Sequence, residues 1–152
     1  MRLLIACFLL VLGGAAHAQI QVREPWSRET PPGAKIGVGF MEIRNQGAAA
    51  ERVLSASTPL AGRVEMHVTR REGDVVRMRQ VQSFDIAALS RIELRPGGSH
   101  LMLVDLVRPL KKGERVPLTL RLERAGEINV ELEVRALFSR EAPGRATTPG
   151  RP

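Results

Sequence analysis

The chain is poor in aromatic rings and in thiols: it has no tyrosine, one tryptophan (Trp26), four phenylalanines and one cysteine, Cys7. So few rings leave little to stack on bases. The arginines are scattered rather than gathered in a stripe, and both features argue against nucleic-acid binding. Cys7 lies within the apolar run Leu3 to Leu12, too close to the N-terminus to end a lipoprotein signal, so it belongs to a segment that is discarded. The remaining chain carries no thiol, which excludes a disulfide framework and any metal site that needs thiolate. The run itself is only about ten residues long, too short to span a bilayer, so no stable membrane insertion is expected once it is removed.

What is present divides the chain into three parts. Met1-Arg2, the apolar run and the small residues Ala16 and Ala18 read as a secretory signal over residues 1–18, cleaved after Ala18 to leave Gln19 first. Cleavage after Ala16 is the alternative. Residues 19–138 have room for one domain, and the 43% hydrophobic content suffices for a single core. Residues 139–152 are rich in Pro, Gly, Thr and Arg, lack large apolar side chains, and are expected to be disordered. The net charge is +7; losing Arg2 of the 23 basic residues, against 16 acidic ones, leaves +6. That excess suits solubility or an acidic partner surface.

From Ile20 onward the hydrophobic period is two, broken by Gly, Pro and Asn, which argues for an all-β domain of eight or so short strands in a sandwich or small barrel. The first strand, Ile20 to Arg23, is expected to end at Pro25, with Trp26 packing at the edge of the core. Ile36, Val38 and Phe40 share one side of a strand, with Gly37, Gly39 and Met41 on the other. In Arg63 to Thr69, Val64, Met66 and Val68 share one face while Glu65 and His67 share the opposite one, so Met66 should point into the core. Pro96-Gly97-Gly98 turns the chain into His100-Leu101-Met102-Leu103, a strand that shows His100 and Met102 on one face and two leucines to the core. Val116 to Leu122 and Ile128 to Val134 form a closing hairpin around Ala125-Gly126.

Histidine is scarce too, and its placement is informative. After signal removal only His67 and His100 remain, and three of the four remaining methionines, Met66, Met78 and Met102, lie in or beside the same stretch. Taking Glu72-Gly73 as a two-residue hairpin loop, residues whose numbers sum to 145 face each other, which sets His67 directly opposite Met78. Two His/Met pairs then lie on strand faces. Thioether plus imidazole, without thiolate or a carboxylate cluster, is the ligand set that soft monovalent copper prefers, and no residue is placed as a base or nucleophile. Met41 lines a sheet face without a histidine beside it and is left as packing or a shielding neighbour.

The spacing of His67, ten residues, Met78, twenty-one residues, then His100-x-Met102, together with Pro31-Pro32-Gly33-Ala34-Lys35, Glu65-Met66-His67 and Pro109-Leu110-Lys111-Lys112-Gly113, resembles the PCu(A)C periplasmic copper chaperones. The resemblance spans about Ile20 to Phe138. It implies a cupredoxin-like, Greek-key β-sandwich in the periplasm, not an enzyme, that binds Cu(I) through His67, Met78, His100 and Met102. It further implies delivery to a copper acceptor, cytochrome c oxidase subunit II or a Sco-type intermediary, for assembly of the dinuclear copper centre. Some members carry a His- and Met-rich C-terminal extension with a second copper; residues 139–152 here contain neither residue.

Two other readings stay open at this point. One is an exported structural or adhesion sandwich without metal. The other is a histidine-brace copper oxygenase, which needs an N-terminal histidine and so requires cleavage after Ala16 to expose His17. Zinc could also meet the histidines, but methionine is a poor ligand for it.

Overall fold

The computed structural model describes residues 19–137; the signal over 1–18 and the tail over 139–152 lie outside the described residues. The described chain is all-β, with ten strands: β1 (Ile20–Arg28), β2 (Ile36–Asn45), β3 (Glu51–Ser57), β4 (Ala61–Glu72), β5 (Val75–Val81), β6 (Phe84–Ile86), β7 (Ser90–Leu94), β8 (His100–Leu106), β9 (Arg115–Leu122) and β10 (Gly126–Arg135). They form one hydrogen-bonded path, β5-β4-β8-β2-β1-β10-β9-β3-β6, with β7 also pairing β2. All pairs are antiparallel except β1 with β10. The path folds back on itself, so that β2 and β8 in one half face β10 in the other across the core.

Alternation decides what enters that core. Leu101 and Leu103 of β8, Val116, Leu118 and Leu120 of β9, and Leu132 and Val134 of β10 are essentially fully buried. On β2 the inward side is Gly37, Gly39, Met41 and Ile43. The two glycines leave space that leucines fill: a Cβ on Gly39 would lie 3.3 Å from Leu132 Cδ1, and one on Gly37 3.2 Å from Leu110 Cδ1. The opposite side of β2 therefore turns outward, and Ile36 is exposed while Val38 is half-buried. Met41 is a core residue, as is Met66.

Two local expectations are corrected. Pro25 does not end the first strand: β1 continues to Arg28 through a register shift between Arg23 and Trp26, with Glu24 at φ 46°. Proline lacks an N–H, but a bulge absorbs that loss, and the bend lets Trp26, Ser27 and Arg28 pair with β10 as well as bringing Trp26 back onto β2. The second correction is the β4–β5 hairpin. Its loop is Gly73-Asp74 rather than Glu72-Gly73, with Glu72 opposite Val75, so facing residues sum to 147. Gly73 has φ 64° and Asp74 is not in the left-handed region; a turn whose first central residue alone has positive φ wants glycine in that first place.

Candidate metal centre

Three strands carry the candidate ligands. His67 on β4 and His100 on β8 are direct cross-strand partners, and Met102, two residues along β8, lies opposite Glu65. Residues directly opposite or two apart share a face, so Glu65, His67, His100 and Met102 form a block on the outer face of β4 and β8. Met78 on β5 faces Thr69 rather than His67, whose own partner is Gln80. The two-residue slip preserves strand parity, so Met78 stays on the same face and becomes the diagonal neighbour of His67, about 7–8 Å away along the backbone. A long, unbranched methionine bridges that kind of gap.

The environments of the four differ. His100 is buried (5% exposed), His67 nearly so, Met102 half-buried and Met78 52% exposed on the edge strand. The imidazole rings stack with centroids 5.7 Å apart at 27°. Behind His100 stands Phe40, centroid 6.5 Å away, and behind Phe40 stands Trp26, at 4.6 Å. Trp26, half-buried against the buried Phe40, sits at the edge of the core as expected and caps an aromatic wall, with the guanidiniums of Arg28 and Arg135 over its ring.

Backbone and side-chain partners decide which nitrogen each histidine presents. His100 Nδ1 is 3.0 Å from the Gly98 carbonyl. A carbonyl only accepts, so Nδ1 carries the proton and Nε2 keeps its lone pair. The Pro96-Gly97-Gly98 turn, closed by hydrogen bonds from Arg95 N–H to Ser99 O and Gly98 N–H to Arg95 O, therefore both delivers β8 and sets its first side chain. His67 Nε2 is 2.9 Å from Glu65 Oε2. Its Nδ1 is buried and has no hydrogen-bond partner, a costly state for a polar atom unless something else engages it. The hydrogen bonds from His67 and then from Arg63 hold the Glu65 carboxyl below the usual carboxylate range, so it is an ionised acceptor.

Among the described residues no group of three or more His, Cys, Asp and Glu is arranged to hold a metal ion. A site here needs the thioethers, which is the soft donor set of monovalent copper and not that of zinc, calcium or magnesium. The unpartnered Nδ1 of His67 and the free Nε2 of His100 fit such an ion. Glu65 and the Gly98 carbonyl were not singled out from sequence, although the Glu-x-His spacing on a strand already places Glu65 beside His67.

Comparison with known proteins gives this geometry a setting. Residues 20–134 match the family model "LpqE-like: Putative lipoprotein LpqE-like". The chain is 30% identical over 117 residues to "Putative lipoprotein Lxx21020" of Leifsonia xyli subsp. xyli (strain CTCB07), covering 76% of this chain and 69% of that protein. Among solved structures it resembles the copper-bound PCuAC domain from PmoF2 at TM-score 0.69 and 25% identity, over 78% of this chain and 93% of that one. It resembles apo-DR1885 from Deinococcus radiodurans at 0.63 and 26%, over 91% and 93%. The CuI-DR1885 solution structure matches at 0.61 and 30%, over 79% and 83%.

Proposed function

The chain belongs to the LpqE-like family, which is of the PCuAC type, and from that premise we propose that it is a Cu(I) carrier whose ligands are His67, Met78, His100 and Met102. The observation that carries the reading is the outer face of β4 and β8, where two histidines stand directly opposite each other beside Met102 and one buried imidazole nitrogen has no partner. Copper is cargo here, not a resident cofactor. The copper-bound PCuAC domain from PmoF2 supports the metal, and the CuI-DR1885 structure supports its oxidation state.

Three of the four ligands are held by interior strands, whereas Met78 rides on a strand exposed along nearly its whole length. An acceptor can therefore replace Met78 first while His67, His100 and Met102 still hold the ion, and then take the rest in steps. Among the described residues no group is placed to perform covalent chemistry, which fits a carrier rather than an enzyme. The protein is exported, cleaved after Ala18, and acts in the periplasm. Its recipient is cytochrome c oxidase subunit II, or a Sco-type intermediary, during assembly of the dinuclear copper centre. The tail over 139–152 has no His or Met and contributes no second site.

The test loads the mature protein with one equivalent of Cu(I) under reducing conditions and mixes it with the soluble, copper-free domain of oxidase subunit II or of a Sco-type protein. Copper eluting with the acceptor supports delivery. Stoichiometric binding without transfer to either acceptor rejects the recipient, and failure to bind Cu(I) at all favours a metal-free structural sandwich.

A further inference from the structure

We infer that Glu65 is a positioning residue for His67, fixing which imidazole nitrogen is offered to the metal. The consequence for copper rests on the proposed function above; the geometry does not. Glu65 and His67 are two apart on β4 and so share a face, and Glu65 Oε2 lies 2.9 Å from His67 Nε2. An ionised carboxylate accepts but cannot donate, so the proton sits on Nε2 and the lone pair on Nδ1.

The carboxylate is itself held in place. Its other oxygen, Oε1, accepts from Arg63 Nε at 2.8 Å, and Arg63 Nη1 reaches Asp105 Oδ2 at 2.6 Å. Both oxygens of Glu65 are therefore engaged, and the group is mostly buried, with 18% of its side chain exposed. The chain Asp105–Arg63–Glu65–His67 runs from the β8 surface to the ring of His67. Each oxygen accepts one hydrogen bond, and it is the bond between Oε2 and His67 Nε2 that assigns Glu65 to orienting the ligand.

The two histidines are thereby set in complementary states. His100, protonated on Nδ1 by its bond to Gly98, offers Nε2; His67, protonated on Nε2, offers Nδ1. Without Glu65 no other hydrogen bond among the described residues would choose between the two tautomers of His67. The population protonated on Nδ1 has no lone pair there to give. Hydrogen-bond partners of ligating histidines typically change metal affinity by about 10- to 100-fold when removed.

The experiment uses the copper-free protein first: long-range nitrogen NMR of the imidazoles in the wild type, Glu65→Leu and Glu65→Gln. The expected result is a wild-type His67 protonated on Nε2 and a mixture of tautomers in Glu65→Leu; in Glu65→Gln the one amide oxygen stays with Arg63, which only donates, so the NH2 group faces Nε2 and His67 shifts toward the Nδ1–H form. His100 should keep its Nδ1–H form throughout, which reports a native β8 and turn. Cu(I) affinity should then fall about 10- to 100-fold in Glu65→Leu and at least as far in Glu65→Gln, where the amide favours a proton on the Nδ1 that would otherwise bind the ion. A wild-type His67 protonated on Nδ1, or an unchanged tautomer in Glu65→Leu with native His100 signals, overturns the inference. A wild type that binds no Cu(I) rejects the copper reading instead, and the tautomer measurement still decides the role of Glu65.

Discussion

Glu51, the first residue of β3, ties that strand to the β9–β10 turn, and replacing it with glutamine tests how the second half of the sandwich is closed. The residue is 5% exposed. Oε1 accepts from the backbone N–H of Arg52 at 2.8 Å and of Arg124 at 3.0 Å, and Oε2 accepts from Ala125 N–H at 2.8 Å. Burial pushes its carboxyl up, but these backbone donors, with Glu123, outweigh it, and the net effect is downward. Glu51→Gln keeps Oε1 for two of the donors and turns an NH2 group toward Ala125 N–H, so it removes one charge-assisted bond and faces donor with donor. A loss of about 2 kcal/mol follows. Thermal and urea unfolding of the mature protein at several pH values would measure it. Because the folded carboxyl titrates lower than the unfolded one, its stabilisation is present above the unfolded range and is lost as pH falls through the folded value. The wild-type advantage over Glu51→Gln should therefore be full at neutral pH and shrink below the ordinary carboxylate range. Equal stability at neutral pH, or a gap that widens on acidification, would refute the account of Glu51.

Three further outcomes are expected. Gly39→Ala should cost about 1–2 kcal/mol by urea unfolding, because its Cβ would sit 3.3 Å from Leu132 Cδ1 and 3.5 Å from Leu101 Cβ in a filled core; an unchanged midpoint would contradict that packing. Gly73→Ala, at φ 64°, should cost about 1 kcal/mol and speed amide exchange along β5, with little effect on β9 and β10. Cu(I) affinity should fall on acidification, since an imidazole must be neutral to bind while a thioether has no proton to lose; a flat profile would count against His67 and His100.

Strand parity was readable in the sequence, and most of the candidate centre follows from it. It places Met66, Leu101 and Leu103 inside and His67, His100 and Met102 on the outer face, as the burial of the three core residues bears out. The hairpin register lies two residues from the one that spacing predicts, because the loop is set by which position tolerates positive φ. Two is an even number, so Met78 kept its face and lost only its direct opposition to His67. The continuation of β1 past Pro25 was hidden for a similar reason: a proline normally stops a ladder, and the bulge that rescues it depends on β2 and β10, remote in sequence. Alternation on β2 gave two faces without saying which was inner. The glycines proved to be the buried side because leucines from β8, β10 and the Leu110 segment occupy the room they leave. The roles of Gly98 and Glu65 depend on which nitrogen carries a proton, and that is set by contacts rather than by spacing.

The central claim is that one copper ion is held by two histidines and two methionines, three of them on interior strands and Met78 on an exposed edge. It is tested most directly by the Cu(I) dissociation constants of the wild type, Met78→Leu and Met102→Leu, measured by chelator competition under reducing conditions. Both variants should bind more weakly, Met102→Leu by about tenfold or more, or about 1.4 kcal/mol per decade, and Met78→Leu by less, since its ligand is the exposed one. Wild-type affinity in both variants would contradict the account.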